Sequence, residues 1–289
     1  MTEIPDEINR LINQIIQIEE SDSVNPQFSP LVKRLLNGEL KYNIFAKMYP
    51  EHSCYDMFIR LENIGTFANY QKHPSKYKGS WYGSSLQSSS QQKDTQPNPN
   101  DVGAEVIIYS GPNNLYTCIS SSECKLKQPG DNYMAKTRLK SILNMKERKS
   151  CGSLAVYLSY QQHAGMLWID KQNRIIDRFD PYYCINDESN QRYIDVALKE
   201  FFKQMIPDFQ YVGNTLKPSQ AIQKIRSSKR KNSDNFCQDY GILYAIRRIH
   251  GMSNSQAAEH LVSMKNDLLN DIRELYTQFW LFSRTLDKK

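Results

Sequence analysis

Three residues in this chain are of types, and at places, where side chains do chemistry: Cys237, His163 and Asp180. Cys237 opens the run Cys237-Gln238-Asp239-Tyr240-Gly241-Ile242-Leu243-Tyr244-Ala245-Ile246. Tyr240, Leu243, Tyr244, Ile246 and Ile249 recur there near a 3.6-residue period, which predicts a buried helix. Asp234 or Asn235 is positioned to cap it and His250-Gly251 to end it. A thiol at a helix N-terminus meets the positive end of the macrodipole, which favours the nucleophilic thiolate. The plain alternative is a small buried hydrophobe, the commoner role of an isolated cysteine.

His163 and Asp180 flank a hairpin. Met166 to Ile169 and Arg174 to Phe179 read as strands joined by the polar turn Asp170-Lys171-Gln172-Asn173. A residue at the start of the first strand lies near the residue that closes the second. An imidazole and a carboxylate therefore meet at one sheet edge. The competing reading makes His163 a loop residue and Asp180-Pro181 a turn starter.

The elements that must position these residues follow from pattern. A helix over residues 5–20 carries Ile8, Leu11, Ile12, Ile15, Ile16 and Ile18 on a broad stripe. A second short helix is expected from Ser29 to Leu36. Residues 84–103 are polar and read as a linker or loop between a helical N-terminal region (1–83) and a larger domain (104–289). Strands are expected at Ala104–Tyr109, with Leu115–Ile119 pairing as a hairpin, and at Gly152–Tyr160. Helices are expected at Met134–Met145, Tyr193–Met205, Ser253–Met264 and Asn266–Phe282, with a short strand at Phe209–Val212. Ser255 with Ala258, or Asn266 with Leu269, would open the last two helices, neither pair forming a full capping box. The fold class is α+β, a mixed sheet flanked by helices.

Composition narrows the class. The chain of 289 residues is long enough for a sizeable core. Its net charge of +6 is spread among mixed signs, which gives no argument for nucleic acid. The six cysteines form no CxxC pair, so reduced thiols in a cytosol-like compartment are expected rather than a metal cluster or disulfide scaffold. The polar, acidic start reads as no signal peptide, and no apolar run is long enough to span a membrane. His250 and His260 read as surface or capping residues, and Cys184 lies just past Asp180, where a disulfide to Cys237 is a minor alternative.

The order histidine, carboxylate across one hairpin, then a cysteine opening a helix resembles the adenain-like cysteine proteases. That group includes the adenovirus maturation protease, SUMO- and ubiquitin-like-modifier proteases, and polyprotein proteases of large DNA viruses. The resemblance rests on His163 and Asp180 standing 17 residues apart, on Tyr240 three places after Cys237, and on the apolar helix that follows. It covers about residues 104–285 and implies a papain-related core.

The resemblance further implies that Cys237 attacks a carbonyl carbon, His163 moves the proton and Asp180 orients the imidazole. The expected substrate is a protein, either a viral polyprotein or a ubiquitin-like tail, with viral structural proteins as further partners. No cofactor, metal or specific nucleic acid is expected, and the compartment is host cytoplasm or virion. The family usually carries an oxyanion glutamine six or seven places before the cysteine, where this chain has Lys231 and Arg230. Asn232 and Asn235 are the near substitutes; Gln223 or Gln220 would serve if the intervening loop folds back. Ala164 stands where many members have Trp, and Gln238 where Gly is usual. Loss of one oxyanion donor slows such an enzyme about 10²–10³-fold. The alternatives are a weak or inactive protease-like structural or virion-associated protein, and an unrelated α+β binding protein.

Overall fold

A computed structural model describes residues 4–20, 102–109, 115–117, 152–160, 163–182, 188–223, 236–264 and 267–286. Six strands form one mixed sheet in the order β2-β1-β3-β4-β5-β6. The strands are β1 (Val102–Tyr109), β2 (Leu115–Thr117), β3 (Ser153–Tyr160), β4 (His163–Asp170), β5 (Ile175–Phe179) and β6 (Gln210–Asn214). The helices are α1 (Asp6–Glu19), α2 (Glu188–Met205), α3 (Cys237–Ile249), α4 (Asn254–Ser263) and α5 (Leu268–Leu286), and a 3₁₀ turn spans Pro218–Gln220. β3, β4 and β5 form an antiparallel meander; β1 joins β3 in parallel, β2 pairs antiparallel with β1, and β6 joins β5 in parallel.

Alternation along the strands builds two cores. Leu154, Val156, Leu158, Leu167, Ile169 and Ile176 face one way and bury Ile194, Leu198, Phe201, Phe202 and Met205 of α2. Ala155, Tyr157, Ala164, Met166, Trp168 and Phe179 belong to the opposite cluster with α3, α4, α5 and α1. Helix α3 is buried from Gln238 to Ile246 because sheet lies beneath it and helices lie over it. Leu11, Ile12, Ile15 and Ile16 of α1 join this second core, and Arg273 of α5 donates to the Asn13 side chain. The first helix thus packs into the same core as the C-terminal helices.

The hairpin turn is built as its residues dictate. Asp170 accepts from the backbone N–H of Asn173 at 2.9 Å and from its side-chain amide at 2.8 Å, and Arg174 takes the left-handed φ of 55°. At the end of α3, Gly251 adopts φ 92°, a conformation glycine takes without steric cost.

Several boundaries differ from the sequence expectation. β4 begins at His163 rather than Met166, since Ala164 and Gly165 continue the ladder opposite Ser159 and Leu158. α2 begins at Glu188, one polar turn ahead of its apolar stripe. The cap of α3 is Phe236, which makes no side-chain cap, rather than Asp234 or Asn235; a buried aromatic anchors this entry. The capping box of α4 is formed by Ser253 with Gln256, not by Ser255 with Ala258. The helices expected at Ser29–Leu36 and Met134–Met145 lie outside the described residues, as do residues 84–101 of the expected linker.

Candidate active site

Each residue of the expected Cys-His-Asp triad sits at an element boundary. His163 opens β4, paired in the ladder with Tyr160 of β3. Asp180 directly follows β5. The β4–β5 ladder closes at the Met166–Phe179 pair, so His163 and Asp180 both lie beyond that pair at the same end of the sheet.

The register of α3 on the sheet sets the position of Cys237. Phe179 and Tyr244 stack with ring centres 4.5 Å apart and planes within 8°. The Tyr244 hydroxyl donates to Asp177 at 2.5 Å, and Arg248 Nη1 donates to the same carboxylate at 2.9 Å. The Arg248 guanidinium lies 5.5 Å over the Trp168 ring. The C-terminal half of α3 is therefore fixed toward the hairpin turn, and its N-terminus runs toward the end that holds His163 and Asp180. Cys237 precedes Tyr244 by two helical turns, about 10 Å at 1.5 Å per residue. His163 precedes Met166, the partner of Phe179, by about 10 Å of strand at 3.3 Å per residue. Cys237 therefore lies at the end of α3 that points toward this end of the sheet. Cys237 is a partly buried thiol and not half of a disulfide.

Asp180 is fully buried. Its Oδ2 accepts from Arg178 Nη1 at 2.9 Å, its Oδ1 from the Tyr182 backbone N–H at 2.9 Å, and its own N–H donates to Asn214 Oδ1 at 3.1 Å. The turn after Asp180 also receives one oxyanion candidate. The Gln223 backbone N–H donates to the Pro181 carbonyl at 3.1 Å, and the Gln223 side chain is buried. The segment from β6 to Gln223 therefore folds back onto the Asp180 turn. Gln220 lies one 3₁₀ turn earlier and accepts from the Lys217 N–H, outside this contact. Asn232 and Asn235 lie outside the described residues. Gln238 is buried within α3.

The fold also brings together charged residues for which the sequence gave no signal. Burial pushes the Asp177 carboxyl up to about 6, with Arg248 and the Tyr244 hydroxyl opposing the rise and Asp170 adding to it. The same burial, reinforced by Asp177, raises the Tyr244 phenol well above its usual range. The fully buried Arg178 and the partly exposed Asp195 form a second ion pair, with Nε–Oδ1 at 2.9 Å. His260 accepts from Arg247 Nε at 3.5 Å, and partial burial followed by the Arg247 charge lowers its pKa. Among the described residues no three His, Cys, Asp or Glu side chains cluster as a metal site, and no helix is long and apolar enough to cross a membrane. No protein-family model and no curated protein significantly matches the sequence.

Proposed function

We propose that the chain is a cysteine protease, an endopeptidase or ubiquitin-like-modifier deconjugating enzyme with an adenain-like, papain-related core. The observation that supports this reading is the anchoring of α3: with Tyr244 held at Phe179 and Asp177, the helix directs its N-terminus, which begins at Cys237, toward the end of the sheet where His163 opens β4 and Asp180 follows β5. The packing of Gln223 against Pro181 supports it as the oxyanion donor.

In this reading His163 takes the Cys237 thiol proton, and the thiolate attacks the substrate carbonyl carbon. The oxyanion accepts from the Cys237 backbone N–H and the Gln223 side-chain amide. Collapse expels the amine, which His163 protonates; water then cleaves the thioester and restores the thiol. In this reading Asp180, held by Arg178 and the Tyr182 N–H, orients the imidazole. A second reading, an inactive protease-like structural or virion protein, is favoured by one feature: Asp180 is already held in a buried ion pair.

The substrate would be a protein, a viral polyprotein or a ubiquitin-like tail. The test is capture by peptides ending in a vinyl sulfone, with the adduct located by peptide mass. An adduct on Cys237 that disappears in His163→Ala supports the enzyme. Labelling spread evenly over the cysteines, unaffected by His163→Ala, supports the structural reading.

A further inference from the structure

β5 and β6 run parallel, and both end in the same kind of turn. At the end of β5 the Asp180 carboxylate accepts the N–H of Tyr182, two residues on, at 2.9 Å. At the end of β6 the Asn214 side chain accepts the N–H of Leu216, again two residues on, at 3.4 Å. In each case a side-chain oxygen mimics a backbone turn, a role that Asp and Asn fill. The two turns are joined, because Asn214 Oδ1 also accepts the Asp180 N–H at 3.1 Å. Beside this bond the Thr215 N–H donates to the Arg178 carbonyl at 2.7 Å. In a regular parallel ladder the Asp180 N–H would go next to the Thr215 carbonyl. The Asn214 side chain takes that place, and the chain after β6 turns away from the sheet.

That chain is seated against α3. Leu216 and Ile222 are buried in the core that holds Tyr240 and Tyr244, and Cys237 packs against the same core. At the end of this segment the Gln223 N–H returns to the Pro181 carbonyl at 3.1 Å. One side-chain oxygen therefore ties the Asp180 backbone to a segment that lies in the α3 core and carries Gln223. The Asn214 nitrogen takes no part: Nδ2 is buried and makes no hydrogen bond among the described residues, so the acceptor oxygen alone defines the clasp.

We propose that Asn214 is a positioning residue of the cysteine-protease site, an inference that rests on the reading above: its Oδ1 fixes the Asp180 backbone relative to the α3 core and to the Gln223 segment. Asn214 touches no reacting atom in this account. It acts through Asp180, whose carboxylate is placed by its own backbone. A misplacement of about 1 Å, even from a change remote from the chemistry, costs about 10²-fold in rate.

The experiment is capture of the full chain by a peptide vinyl sulfone, resolved into affinity (KI) and maximal rate (kinact) at Cys237. Wild type, Asn214→Ala and Asn214→Asp are compared, with circular dichroism to check each fold. Asn214→Asp keeps the shape and the acceptor oxygen, and gives up only a nitrogen that makes no bond among the described residues. The expected result is a kinact about 10²-fold lower in Asn214→Ala with KI little changed, and a return close to wild type in Asn214→Asp. A purely structural role would reduce the folded fraction and leave the kinact of the folded protein unmoved. A folded Asn214→Ala with the wild-type kinact, or equal losses in both variants, overturns the inference and leaves the protease reading standing. If Asn214→Ala does not fold, amide hydrogen exchange in the wild type decides: the Asp180 N–H should be as protected as that of Thr215, and fast exchange at Asp180 overturns the clasp. A wild type that is not captured at Cys237 overturns the protease reading itself, and this inference with it.

Discussion

Replacing Arg248 by Met should destabilise the protein strongly at pH 8 and only mildly at pH 5. Arg248 is 9% exposed, pairs with the fully buried Asp177 at 2.9 Å and covers Trp168. The Asp177 carboxyl is raised from 3.8 to about 6. A group raised on folding contributes stability that is present below its unfolded pKa and lost as pH rises through the folded one, here from about 4 to 6. At pH 5 the buried carboxyl is mostly protonated, so losing Arg248 removes one hydrogen bond and the contact with Trp168, about 1–2 kcal/mol. At pH 8 the variant leaves a buried charge without its cation, which costs about 3–5 kcal/mol. The difference of about 2 kcal/mol is a large part of a total stability of about 5–15 kcal/mol. Urea unfolding followed by tryptophan fluorescence at both pH values measures it. Equal losses at pH 5 and pH 8 would refute the assignment of Asp177 as the titrating member of the clamp.

The site makes its own predictions. Cys237→Ala and His163→Ala should each abolish peptide cleavage, with Asp180→Ala less severe; full turnover by Cys237→Ala would sink the mechanism. Gln223→Ala should lower kcat about 10²–10³-fold with little change in KM, as loss of an oxyanion donor does, and an unchanged kcat would remove Gln223 from that role. Ile15→Ala should cost about 2–5 kcal/mol in the main unfolding transition, because Ile15 is fully buried in the core shared with α5. A transition unmoved by that change would mean that α1 folds apart from the core.

Periodicity made the central elements legible. The apolar run of β3, the β4–β5 hairpin and the stripe of α3 each carry their burial in their sequence. Small residues hid the start of β4, because Ala164 and Gly165 carry little strand signal although the ladder runs through them. The Ser253-x-x-Gln256 box was readable as a motif, two residues from the pair that the apolar pattern suggested. Gln223 could be named only as a conditional candidate, since its approach to Pro181 depends on the path of the chain after β6. The networks around Asp177 and Arg178 were not readable at all. Charged residues in a strand carry no mark of burial, and their partners on α3 and α2 become neighbours only once both faces of the sheet are covered.

The reactivity of Cys237 as a function of pH tests the central claim most directly. The folded chain is treated with a mild alkylating agent across pH 5–9, and the label is located by peptide mass. A thiolate–imidazolium pair predicts selective labelling of Cys237 at about pH 6–7, below the ordinary thiol pKa of about 8.5, and its loss in His163→Ala. Labelling of Cys237 no faster than the other cysteines, or only above that ordinary pKa, would contradict the account.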